Sequence, residues 1–209
     1  MTVAECSQPM DFRSRTTRPP CNDEPMPRRD ADVFIGGPEK ADVVITDYNP
    51  EWPRRFEIER KKIVGALAGR ALAIDHIGST SVPGLAAKPI VDICLTVADS
   101  SVESSYLGDL QAAGYELRVR EPDFHEHRML RTPAHDVHIH VFTQGSGEIT
   151  RYLVFRDWLR LNTADRELYA STKRQLSRQD WPSTQHYADA KTAVIDTIMG
   201  HATGRGGPD

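Results

Sequence analysis

The sequence predicts an α/β (α+β) fold, in which a sheet covered by helices on one face is followed by a helical block. From 90 to 97 the odd positions Val91, Ile93, Leu95 and Val97 are all apolar, while Asp92, Cys94 and Thr96 alternate with them. A period of two with one fully apolar face marks a strand packed on that face. The alternation returns at 136–141, with Asp136, His138 and His140 on one side and Val137, Ile139 and Val141 on the other. Beyond the turn at Gln144, Gly145 and Gly147, the pattern is helical to the end of the chain.

Composition narrows the class. A chain of 209 residues supports one compact domain with enough core to stand without staples. Its net charge of −4 argues against general nucleic-acid binding, which needs a surplus of lysine and arginine. Cys6, Cys21 and Cys94 form no Cys-x-x-Cys pair, as expected in a reducing compartment. No apolar run reaches membrane-spanning length, and the N-terminus lacks the apolar core of a signal peptide. The expectation is a cytoplasmic protein with no membrane partner.

Residues 1–40 mix Pro19, Pro20, Pro25 and Pro27 with interspersed charges and predict an irregular extension. Acidic residues interleave with Arg13, Arg15, Arg18, Arg28 and Arg29, which favours a solvated tail over a targeting arm. Residues 41–46 read as a short strand. Asn49 and Pro50 then start a helix with Phe56, Ile63, Val64 and Leu67 as its buried stripe. Residues 71–77 form a strand that delivers a loop. Val82 precedes a proline and is extended, so that loop is not one continuous helix. After the strand at 90–97, a helix near 102–113 stops at Gly114. Strands follow near 115–119 and 124–131, ahead of the one at 136–141. In the helical block, 150–200, Thr163 is the expected N-cap of the second helix. Ser183 or Thr184 opens the last helix, whose stripe is Tyr187, Ala190, Val194, Ile195 and Ile198. The expected domain spans 41–200, with 201–209 as a flexible tail.

The chemistry concentrates between His76 and Cys94. Gly78 allows close backbone approach, and consecutive turn amides form an anion nest. Ser79, Thr80 and Ser81 add hydroxyl donors, and Lys88 adds a mobile point charge suited to phosphate. If the strands of Asp92 and His138 are neighbours, Asp92, Cys94, Asp136, His138 and His140 line one surface. Arg128 and Arg131 are the arginines of the preceding strands placed to reach a phosphate, although exposed arginines are more often simply solvated. Tyr169 with Lys173, and Tyr187 with Lys191, each share a helix face, most simply as aromatic core beside a solvated lysine, the alternative being a helical lysine that touches phosphate.

The run HIGSTSVPGLAAKPIVDI, the later HIHV strand and the segment FRDWLR resemble the GrpB family, a branch of the nucleotidyltransferase superfamily. The resemblance runs from about Asp47 to about Met199. It implies a small mixed sheet with helices on one side, and a Gly-Ser element followed by an acidic strand that binds nucleotide phosphates through a divalent metal. Gly78 and Ser79 match that element, and Asp92 matches the first acidic position. The second acidic position falls on Cys94, whose soft thiolate suits magnesium poorly.

The implied activity moves a nucleoside-monophosphate unit from a nucleoside triphosphate to a small-molecule acceptor, with Mg2+ as the expected ion. Gly78, Ser79, Thr80, Ser81, Lys88 and Arg128 would hold phosphate. Asp92, Asp136, His138 and His140 would hold metal, with His138 or His140 also handling the acceptor proton. Two other readings stand beside it. One is a nucleotide-binding module without chemistry, favoured by the missing carboxylate. The other is a hydrolytic zinc site made of Cys94, His138 and His140. From alternation alone, Cys94 is expected in or beside the site.

Overall fold

A computed structural model describes residues 33–37, 39, 40 and 42–204. The proline-rich stretch before Val33 and the end of the expected tail lie outside the described residues. The first helix, α1 (Glu51–Leu67), starts where the Asn49 side chain accepts the Glu51 backbone N–H at 2.9 Å. It stops at Ala68, which turns left-handed at φ 45°. Its buried stripe is Trp52, Phe56, Glu59, Ile63 and Leu67. Val64, expected in that stripe, is 47% exposed, because the true stripe follows a steady spacing of three and four from Trp52.

Five strands form one mixed sheet: β1 (Ala73–Ile77), β2 (Val91–Val97), β3 (Glu116–Glu121), β4 (His127–Arg131) and β5 (Val137–Thr143). Their spatial order is β1-β2-β5-β4-β3, with β2 and β5 parallel and every other pair antiparallel. The adjacency that the sequence left conditional is therefore present: Asp92 lies opposite His138, and Cys94 opposite His140. The strand expected at 41–46 reduces to a single bridge between Thr46 and Ala87, whose backbones exchange two hydrogen bonds of 2.9 Å. That bridge pins the loop ahead of β2.

The apolar residues of β2 and β5 meet α1 and a short helix, α2 (Leu107–Ala112), in one buried core with Tyr106, Leu110 and Tyr115. The helix expected at 102–113 is split, because a 3-10 turn at Glu103–Ser105 precedes α2. On the other sheet face stands the C-terminal block of α3 (Gly147–Leu161), α4 (Thr163–Leu176), α5 (Thr184–Asp189) and α6 (Thr192–Ala202), of which α3 packs on the sheet and α4 and α6 pack on α3. The cap of α4 is Asn162, one residue earlier than expected. Its side-chain oxygen accepts from the Asp165 N–H at 2.9 Å. The expected last helix breaks around Ala190 and Lys191 into α5 and α6, and α6 runs past Gly200 to Ala202. No helix among the described residues is long and apolar enough to cross a membrane.

Helix α3 changes the character of the second face. Its Ile149, Tyr152 and Leu153 pack over Ile77, Cys94 and Phe142, so the far ends of β2 and β5 are covered. Farther along, Val82 and Leu85 of the loop pack against Leu159, Tyr169 and Ile198. Where Asp92 and the histidines stand, the sheet's polar face is open to a cavity.

Candidate functional site

Asp92, His138 and His140 present one potential ligand atom each, all within 4.8 Å of one another. Asp92 Oδ1 lies 3.5 Å from His138 Nδ1 and 3.7 Å from His140 Nε2. Burial opposes the charge on Asp92, but the imidazoles of His138 and His140 beside it outweigh burial and hold the carboxyl below its ordinary range. Gly78 is required here for a reason different from ligand approach. Its φ is +67°, and a Cβ at this position would stand 2.5 Å from Asp92 Oδ2. The glycine makes room for the carboxylate itself.

A second layer orients His140. Its Nδ1 is 3.1 Å from His127 Nε2, and His127 Nδ1 is 2.7 Å from Glu121 Oε2. The Glu121 carboxylate only accepts, so His127 gives it the Nδ1 proton and takes a proton from His140 Nδ1 at its other nitrogen. His140 is then left with a bare Nε2 facing Asp92, the tautomer a metal ligand needs. His127 is 6% exposed and stacks between His140 and Phe142, at ring distances of 5.3 and 4.8 Å.

Across a cavity of about 440 Å3 stand Ser79, Lys88, Lys173 and Lys191. Lys173 donates to Ser79 Oγ at 2.7 Å and to the Ala86 carbonyl at 2.5 Å, and its ammonium lies 4.5 Å from the Tyr169 ring centre. Lys88 and Lys191 both face the Tyr187 ring. Burial lowers the pKa of all three, and Lys191 lowers Lys88 and Lys173 further by repulsion. Among the described residues none of these lysines is paired with a carboxylate.

Several expected site residues have other work. Thr80 is 1% exposed and meets His76 Nε2 at 3.0 Å, while the Ser81 hydroxyl donates to the Gly78 carbonyl at 2.6 Å; both shape the loop from within. His76 stacks on Phe56 on the core side, where burial pushes its pKa down to about 4. Arg128 lies opposite Val141, on the core-facing side of β4, and donates to Glu103 at 2.6 Å. Arg131 is taken by Glu39 through two bonds of 2.6 and 2.9 Å. Asp136 precedes β5 and does not join the triad. It accepts from Thr132 at 2.6 Å and from Arg55 of α1 at 3.2 Å. Cys94 is fully buried beneath α3, where burial pushes its thiol up to about 12, and it takes no part in the cluster. The Cys94, His138 and His140 zinc site is therefore absent.

The sequence pattern of the family described as GrpB protein matches residues 42–201. The chain belongs to the GrpB family. A UPF0157 protein of Halalkalibacterium halodurans is 47% identical over 196 residues, spanning 93% of this chain and 97% of that protein. Another from Streptomyces coelicolor is 49% identical over 179 residues, 84% of this chain and 94% of its own length. The crystal structure of the conserved protein GrpB from Enterococcus faecalis superimposes with a TM-score of 0.69 at 34% identity, covering 78% of this chain and 98% of that one.

In this GrpB chain, sequence reasoning missed His127, Glu121 and Phe34. A signal for His127 existed: it and Met129 alternate with the core-facing Leu130 on β4, which places both on the histidine face. Lys173 and Lys191 share helix faces with tyrosines, a pattern that does not distinguish a solvated lysine from an inward one. Lys173 reaches the cavity from α4, and Lys191 from the break between α5 and α6.

Proposed function

We propose that this GrpB chain is a metal-dependent enzyme that transfers a nucleoside-monophosphate unit from a nucleoside triphosphate to a small-molecule acceptor. The observation that carries this reading is one cavity with a metal-type triad on the sheet and, facing it, three lysines that pair with no carboxylate among the described residues. Two imidazoles and one carboxylate fit a first-row ion such as Zn2+ or Mn2+ better than the expected Mg2+, which prefers oxygen donors. Such an ion, held by Asp92, His138 and His140, supplies charge neutralisation at phosphate oxygens. Lys88, Lys173 and Lys191 bind and orient the remaining phosphate oxygens, and an anion between them offsets their mutual repulsion. Ser79 adds a hydroxyl, and the covering helices exclude water, which strengthens each of these contacts. Where the superfamily pattern has a second carboxylate, His140 serves from the neighbouring strand in place of Cys94. Two relatives named dephospho-CoA kinase, 27% and 29% identical, match this chain over 41% and 42% of their own length.

The donor set also favours a second reading, hydrolysis of a phosphate ester, because three protein ligands leave a position for water. Product analysis separates the two. The full chain, loaded with Zn2+ or Mn2+, is incubated with nucleoside triphosphates and candidate small acceptors. Transfer releases pyrophosphate with the nucleoside monophosphate attached to acceptor, and Asp92→Asn abolishes it. Free nucleoside monophosphate or orthophosphate without an adduct favours the hydrolase. Tight binding without turnover favours a binding module.

A further inference from the structure

The cavity has a third wall that neither the triad nor the lysines account for. Along one row of the sheet, His140 of β5 lies opposite Met129 of β4, and Met129 lies opposite Val119 of β3. Strands are spaced about 4.8 Å apart, so this row leads from the triad to the sheet edge in about 10 Å. There Phe34 continues it by an antiparallel bridge to Val119. Phe34, Val119, Met129 and Ile45 all line the cavity. The loop and helices that carry Ser79, Lys88 and Lys173 stand on the β1 and β2 side of the triad, so the apolar wall lies opposite the cationic one.

The chain invests several contacts in holding Phe34 there. The Arg118 guanidinium lies 5.3 Å from its ring centre and donates to the carbonyls of Ile35 and Gly37. Gly36 and Gly37 take φ of +85° and +82°, turning the segment back over the sheet. Glu39 is clamped by Arg131, its carbonyl accepts from the Thr184 N–H at 3.3 Å, and Lys40 pairs with Asp180 at 2.8 Å. The segment thus ties the sheet edge to the helical block and fixes an aromatic ring at the end of the apolar row.

We infer that Phe34, Val119 and Met129 form a base-binding subsite, which takes the planar aromatic base of the nucleotide whose phosphates reach the lysines across the triad. This rests on the nucleotide reading and goes beyond it by assigning the base a place and Phe34 a specificity role. A flat base matches a ring fixed beside two unbranched or small apolar side chains.

The test compares two probes on the full chain with Mn2+ present: α,β-methylene-ATP, and inorganic tripolyphosphate, which has no base. Phe34→Ala should weaken α,β-methylene-ATP by about tenfold, in line with loss of one base–aromatic stack. Phe34→Tyr should retain most of the affinity, and tripolyphosphate should bind all three proteins alike. Melting temperatures of the variants show whether the segment stays docked, and Met129→Ser provides a second substitution on the wall. Equal weakening of both probes in Phe34→Ala, or no change in either, overturns the subsite while leaving the nucleotide reading intact. Tripolyphosphate binding as tightly as the nucleotide analogue to the unaltered protein does the same. If neither probe binds the unaltered protein, the nucleotide reading falls and the subsite with it.

Discussion

Asp92 and Cys94 point to the same side of β2, two residues apart, and meet different fates. The rise along a strand is about 3.3 Å per residue, so Cys94 sits about 6.6 Å farther on, beneath Tyr152 and Leu153 of α3. Alternation fixes the side of a sheet but says nothing of where along the strand a second layer begins. That is why the acidic position was legible at Asp92 and the thiol was misplaced. The consequence is measurable. Cys94→Asp puts an unpaired carboxylate into an apolar pocket and should destabilise the fold by several kcal/mol, or keep that carboxyl protonated near neutral pH. A melt of this variant matching the unaltered protein would contradict the burial of Cys94. The same reasoning applies to Thr80 and Ser81. Their hydroxyls were legible as donors, but only the fold shows that they are spent on His76 and on the Gly78 carbonyl.

At the scale of elements, strand alternation was the most legible feature. β2 was readable to within a residue and β5 to within two, because each carries an apolar face at every second position. Boundaries failed where local signals compete. Asn162 and Thr163 are both good caps, and only the Asn162 side chain reaches the Asp165 N–H. The pairing of β3, β4 and β5 was not legible at all, and it is this pairing that brings Glu121, His127 and His140 into line. His127→Phe keeps the stacked ring and loses both hydrogen bonds. Metal affinity should fall by about 10- to 100-fold, with His140 free to take the wrong tautomer. Isothermal titration with Zn2+ checks this; an unchanged affinity would remove His127 from any role in positioning His140.

At the scale of the molecule, two layers of helices enclose the sheet, and the site lies where the second layer leaves β2 and β5 uncovered. Sequence predicted both the sheet and the helical block. It did not settle that the block would bring Lys173 and Lys191 inward, since a lysine beside a tyrosine on one helix face reads the same whether that lysine faces water or a cavity. Nor did it predict that Phe34, read as part of an irregular extension, would bridge to the sheet edge and line the site.

The central claim is that Asp92, His138 and His140 bind a divalent ion, and metal titration of chelator-treated protein tests it most directly. The account predicts one Zn2+ or Mn2+ per chain in the unaltered protein and in Cys94→Ala. Stoichiometric binding should be lost in Asp92→Asn, His138→Ala and His140→Ala, each still folded by circular dichroism. Equal metal binding by the unaltered protein and the three triad variants, or none by any of them, would contradict it.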